Sequence, residues 1–342
     1  MKIIRRHLCH ALAALPLALA LASPAQAAEV KERNIKLSVI TALDTPLGIG
    51  AKKFAELVGA KSEGKLKVKV YGDGTLGGEQ QMISSLQGGT VEATIVLPGA
   101  LTGVVKSYSV LDLPFVFDDE QQAARVLDGP VGTKLMSYLP EKGLVGLGFM
   151  ELGFRHYTNS KRPITKVEDF AGLKLRSFQN PVFIDLTTAL GANPLPLSFT
   201  ELYTAMEQKT VDGQENSFAT IDVAKFYEVQ KYISPTRHVY AAQLILVGRK
   251  FWDTLSADER RIMQDAAKEA ITFQRVAARD LDAKARENLH KKGMVFSEIS
   301  PQEMARFRER TKPVVDKHAA LLLEDLRKEF FSELAKARQS KP

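Results

Sequence analysis

The sequence predicts an α/β protein of two domains, with one long helix lying along both. Three observations carry this. Between Ile35 and Leu97 the apolar segments read strand, helix, strand, helix, strand, the order that builds a parallel sheet. Setting aside an N-terminal leader leaves about 315 residues, enough for two hydrophobic cores. A helical pattern opening at Ser256 runs to about Lys292, roughly 50 Å at ~1.5 Å per residue, which exceeds the width of one small domain.

Met1–Ala27 stands apart from that fold. Lys2, Arg5 and Arg6 precede an Ala/Leu-rich run ending in Ser23-Pro-Ala-Gln-Ala27. This is the pattern of a secretory signal peptide, cut after Ala27. The Arg5-Arg6 pair leaves the general and twin-arginine export routes both open. The apolar run is short for a membrane span and has no second copy, so no membrane insertion is expected. The single cysteine, Cys9, goes with the leader, and the exported chain relies on its core rather than on disulfides. Without the leader the charge falls from +7 to +4, from 44 basic and 40 acidic residues. That excess is spread along the chain with no basic block, which argues against a nucleic-acid partner and suits an anionic ligand.

The exported chain begins with a strand over Ile35–Ile40 and a helix over about Leu47–Ser62, whose Ile49, Phe54, Leu57 and Val58 share one side. Leu66–Tyr71 alternates as a strand, a helix spans about Gly78–Gln87, and Val91–Leu97 is a buried strand. Ligands of such sheets bind beyond the carboxyl ends of the strands, here at 41–46, 72–77 and 97–102. Helices near 120–127 and 131–139 lead to a buried strand at Leu144–Met150, and strands follow at Phe154–Thr158 and Leu173–Phe178. Pro181–Leu190 is helical, Asn193–Pro196 is extended because its prolines prevent a helix, and Ser198 opens a helix to Gln208. Val211–Asn216 is extended, Tyr232–Thr236 crosses between domains, and Leu244–Val247 is a strand. Ser256 with Glu259 forms a capping box for the long helix. A strand at Met294–Ile299 and a helix from Pro301 to about Arg338 close the chain, with Leu321, Leu322, Leu326, Phe330 and Leu334 expected to cover the second domain. The expected division is 1–27 as leader, 28–152 with 241–280 as the first domain, and 153–240 with 281–342 as the second.

The chemistry concentrates between Gly153 and Asn216, where Arg155 and Arg176 each sit at a strand end. A guanidinium fork matches two carboxylate oxygens, and the bond is strong where water is excluded. The pair therefore reads as a carboxylate clamp. Gly72-Asp-Gly74-Thr-Leu-Gly77 also fits G-x-G-x-x-G after a strand and before a helix, with Glu92 downstream. It leaves open an exported oxidoreductase using NAD(P); the plainer reading is a Gly/Asp-rich turn. No Gly-x-Ser-x-Gly is present, and His156, His238, His290 and His318 show no metal-ligand spacing. Neither an enzyme nor a cofactor is expected.

Five blocks share one order and spacing with a known family: Phe154–Ile164, Asp169–Arg176, Gly191–Pro196, Val211–Asn216 and Lys225–Lys231. Over roughly residues 33–300 the chain resembles the extracytoplasmic solute-binding subunit of TRAP transporters, dicarboxylate-binding (DctP) type. The resemblance implies a periplasmic-binding-protein-like fold of two α/β domains joined by a hinge, closure over an organic anion, and delivery to membrane permease subunits driven by a sodium gradient. It implies that Arg176 pairs with the ligand carboxylate, that Arg155 supports it or forms a structural ion pair, and that Asn216 donates an amide to the same carboxylate. It makes Phe199 an aromatic wall or plain core, Gln179 a reader of the ligand's far end, and His238 a histidine behind the pocket or a structural one. The sialic-acid branch carries a glutamate where this chain has Leu97-Pro98, which points to a C4-dicarboxylate or a small sugar acid. A periplasmic monomer is expected; a carboxylate sensor without a transport role shares the fold.

Overall fold

The computed structural model describes residues 30–339, and the signal-peptide expectation for Met1–Ala27 lies outside the described residues. The first unit runs β1 (Arg33–Val39), α1 (Pro46–Lys61), β2 (Leu66–Tyr71), α2 (Glu79–Gly88), β3 (Ala93–Val96), α3 (Glu120–Asp128), α4 (Pro130–Ser137) and β4 (Leu144–Phe154). The second runs β5 (His156–Asn159), β6 (Lys174–Ser177), α5 (Pro181–Leu190), β7 (Asn193–Pro196), α6 (Phe199–Glu207), β8 (Gly213–Asn216), α7 (Phe218–Val223) and β9 (Tyr232–Ser234). The chain then returns through β10 (Tyr240–Gly248), α8 (Arg249–Trp252), α9 (Ala257–Lys291), β11 (Val295–Phe296), α10 (Pro301–Ala320) and α11 (Glu324–Gln339).

Two sheets result, ordered β2-β1-β3-β10-β4 and β11-β9-β5-β8-β6-β7. β1 pairs in parallel with β2 and β3, as the alternation of segments predicts. β10 inserts antiparallel between β3 and β4, so residues distant in sequence complete the first sheet. The chain changes sheets three times, the last through α8 and α9 from β10 to β11; the first two changes are short. Arg155 alone separates β4 from β5, and 235–239 joins β9 to β10. The two crossings are tied together, the Arg155 N–H donating to Val239 O at 2.9 Å.

Helix α9 lies along both units, packing on α1 and β4 and then on α7. Its capping box is formed as the sequence predicts, Ser256 accepting from the Glu259 N–H and Glu259 from the Ser256 N–H. Alanines 266, 267, 270, 278 and 285 line its buried side, where short side chains let the helix approach the strands.

The expected last helix is two helices, broken between Ala320 and Glu324. α10 packs on α5 in the second unit, whereas α11 packs on α3 and α4 in the first. Phe330 sits edge-on to Phe117 at 5.9 Å, so Leu326, Phe330 and Leu334 cover the first unit, not the second as expected. An apolar helical stripe records that a face is buried; it does not record which neighbour buries it.

Candidate functional site

The carboxyl ends of strands from both units face each other across one cavity. Ile40, Thr41, Glu79, Leu97, Leu152 and Gln243 line it from the first unit, and Arg155, Arg176, Phe178, Phe199, Asn216 and Thr220 from the second. The space at its centre open to a water-sized sphere is about 30 Å³. A neighbouring cavity of about 420 Å³ shares Ile40, Thr41 and Phe199 and continues past Asp73, Tyr203 and Lys225.

Arg176 sits near the end of β6 and is 1 % exposed. Its Nε donates to Leu197 O at 3.0 Å. Among the described residues no carboxylate lies within ion-pair distance of it. Burial pulls its guanidinium down to about 10, and Arg155 adds to that, against the pull of Glu215 and Glu79. A buried cation in this position gains from an incoming anion.

Arg155 is held differently. Its Nε and Nη2 grip the Glu215 carboxylate, with Nη2 at 2.9 Å from Oε1 and 2.8 Å from the Glu215 backbone O. Its Nη1 is buried without a partner. The structural ion pair and the pocket position expected as alternatives are therefore both present in one side chain. Burial acts to raise Glu215, but Arg155 and His238 hold its carboxyl down at about 2. His238 lies behind this pair, its Nε2 3.5 Å from Glu215, its Nδ1 2.7 Å from Thr236 Oγ1 and its ring stacked on Tyr157. It does not line the cavity, and burial holds its imidazole below the usual range.

Asn216 ends β8, and its Oδ1 accepts from the Ser217 N–H at 3.1 Å. Phe199 opens α6 and walls both cavities. Gln179 departs from expectation. It is exposed and lines a separate surface cavity with Pro181 and His318. The chain bends just beyond β6, the Asn180 N–H donating to Phe178 O at 2.7 Å, and Gln179 lies outside the cavity that Arg176 and Phe178 line. Phe178 lines the cavity instead, its ring 5.9 Å from the Arg176 guanidinium.

Three polar residues of the cavity went unread in the sequence, Glu79, Gln243 and Thr220. Glu79, first residue of α2, is buried, and its Oε1 accepts from the Leu97 N–H at 3.3 Å. Gln243 lies in β10, every residue of which is buried, and its Oε1 has no partner. A glutamine inside a wholly apolar strand was the available signal. Leu152 reaches the cavity where β4 carries one extra residue, Ala241 opposing Gly153 and Ala242 opposing Glu151.

The Gly72–Gly77 turn does not offer its amides to a phosphate. Asp73 N–H donates to Thr41 O at 2.9 Å, Gly74 N–H to Val39 O at 3.2 Å and Gly77 N–H to Gly74 O at 2.8 Å. Glu92 accepts from the Lys36 N–H, within β1 rather than at its carboxyl end.

Residues 37–321 match the family described as bacterial extracellular solute-binding protein, family 7. The chain belongs to this family. Among its relatives the C4-dicarboxylate-binding periplasmic protein of Rhodobacter capsulatus is 34 % identical over 92 % of this chain and 94 % of its own. The 2,3-diketo-L-gulonate-binding periplasmic protein of Escherichia coli is 39 % identical over 66 % of this chain and 69 % of its own. The sugar acid binding protein of Advenella mimigardefordensis, solved with galactonate, superposes with a TM-score of 0.88 at 42 % identity, covering 90 % of this chain and 99 % of its own. A TRAP periplasmic solute-binding protein of Shewanella oneidensis with bound succinate gives 0.85 at 29 % identity, over 89 % and 99 %. Two α/β domains and a long helix are thus shared with TRAP solute-binding proteins. Among the described residues this family member has no helix long and apolar enough to cross a membrane.

Proposed function

We propose that this protein is the periplasmic solute receptor of a TRAP transporter, exported by a signal peptide cut after Ala27. It binds a small organic acid through Arg176 and delivers it to membrane permease subunits, without catalysing a reaction. The observation that carries this reading is Arg176 itself, buried in a cavity between two units with no carboxylate of the described residues within ion-pair distance. The ligand carboxylate supplies the missing charge, with Arg155 Nη1 and Asn216 beside it. Relatives named for C4-dicarboxylates and for sugar acids support this ligand class. The hinge lies at Arg155 and at 235–239, where the two short crossings meet. The acid would enter as the units part and be enclosed as they close over the cavity between them.

The test is a thermal-shift screen of the leader-free protein against C4-dicarboxylates, uronates, aldonates and 2-oxo acids, followed by calorimetry. An acid at one hundred times its Kd adds about 2.7 kcal/mol of stability. Arg176→Ala is expected to remove the shift and weaken binding by at least about a hundredfold while the ligand-free melting curve keeps its single transition. Undiminished affinity in that variant sinks the clamp. Bound cofactor absorbance on purification would instead favour the oxidoreductase reading of the Gly72–Gly77 turn.

A further inference from the structure

The cavity is chemically two-sided. The second unit contributes donors: the Arg176 guanidinium, the partnerless Nη1 of Arg155, and Asn216. The first contributes acceptors, the Glu79 carboxyl and the partnerless Oε1 of Gln243. Glu79 forms no ion pair with either arginine among the described residues, and its recorded contact is the Leu97 N–H. A buried acceptor left unmatched costs free energy, so Gln243 Oε1 calls for a donor from the ligand, and the Glu79 carboxyl keeps acceptor capacity beyond its one bond from the Leu97 N–H. A hydroxyl provides a donor. A second carboxylate provides none, and it would place like charges side by side.

Resting on the reading of Arg176 as the carboxylate anchor, we propose that Glu79, together with Gln243, selects a polyhydroxylated monocarboxylate of the aldonate or uronate class over a C4-dicarboxylate. The acid's carboxylate meets the second unit and its hydroxyls meet the first. Such a ligand satisfies both walls only when they are together, which couples recognition of the hydroxyls to closure. Burial raises the Glu79 carboxyl to about 7, opposed by the Leu97 N–H and by Arg176 and Arg155. Either protonation state still accepts from a hydroxyl, whereas a ligand carboxylate at this wall would first require Glu79 to hold a proton.

Calorimetry with threonate, gluconate and succinate tests this on the wild-type protein and on Glu79→Gln, Gln243→Met and Arg176→Ala. Glu79→Gln keeps the size of the side chain and an oxygen for the Leu97 N–H. The wild-type protein is expected to bind at least one of the two hydroxy acids about tenfold or more tighter than succinate. That ratio should fall to within about threefold in Glu79→Gln and shrink in Gln243→Met, with ligand-free melting curves confirming that both variants fold. Preference for succinate in the wild type, or an unchanged ratio in Glu79→Gln, overturns the proposal. Loss of all binding in Arg176→Ala with an unchanged ratio in Glu79→Gln leaves the clamp standing and removes Glu79 alone. Binding that survives Arg176→Ala but loses its ratio in Glu79→Gln does the reverse. Absence of binding by all three acids in the wild type counts against both.

Discussion

Arg155 and Glu215 are each about 1 % exposed, and neither charge has water to fall back on. Removing one partner of such a pair leaves the other buried and uncompensated, a cost of about 3–5 kcal/mol. Glu215→Gln is therefore expected to lose stability of that order at pH 7 in urea unfolding. The sign of the pH dependence follows from its carboxyl lying at about 2 in the folded protein, below the ordinary value of 4.5. The unfolded chain takes up this proton first, so the contribution is complete above about 4.5 and is lost as pH falls toward 2. The stability gap between wild type and Glu215→Gln should narrow by up to about 3 kcal/mol over that window. A constant gap would show that the pair does not titrate with folding. Both arginines were legible in the sequence because each stands at a strand end in a recognisable block. Glu79 was not, since a single carboxylate among forty acids acquires meaning only from what surrounds it.

Helix α9 is the element on which the two units share support. Its attachment to β4 is specific: Gln274 Nε2 donates to Glu151 O at 2.6 Å, and its Oε1 accepts from the Glu151 N–H at 2.9 Å. Those backbone groups lie beside the extra residue of β4 and need a partner from outside the sheet. Gln274→Leu keeps much of the volume and removes the partner. It should cost about 1–3 kcal/mol, read from urea midpoints at unchanged slope, with faster amide exchange at Glu151. Equal exchange rates would mean that water serves the strand as well as Gln274 does. The length, cap and buried side of α9 follow from local pattern. The fit of Gln274 to an irregular strand more than a hundred residues away does not.

At the scale of the whole molecule, two units meet closely over the cavity. A Cβ on Gly78 would lie 3.1 Å from Ser198 Oγ across the gap. Gly78 has an ordinary φ of −74°, so a larger residue there brings no backbone strain. Gly78→Leu is expected to hold the units apart at a cost of about 1 kcal/mol in ligand-free stability, since Gly78 is the N-cap of α2 and leucine caps poorly. Apparent affinity for the acid should drop at least about tenfold, because it scales with the fraction of molecules able to close. Small-angle scattering should show the ligand-induced compaction of the wild type reduced in the variant. Full affinity with full compaction would mean that the Gly78–Ser198 approach is not part of closure.

The sequence by itself determined the alternation that builds the parallel strands β1, β2 and β3, the cap and span of α9, and the two arginines, because each is written in periodicity or spacing within one segment. Tertiary structure decided the rest. It placed β10 between β3 and β4, sent α11 to the first unit, turned Gln179 out of the cavity, and brought Glu79 and Gln243 to the wall facing Arg176. Each of these depends on contacts between segments far apart along the chain, and local pattern records that a face is buried without recording what buries it.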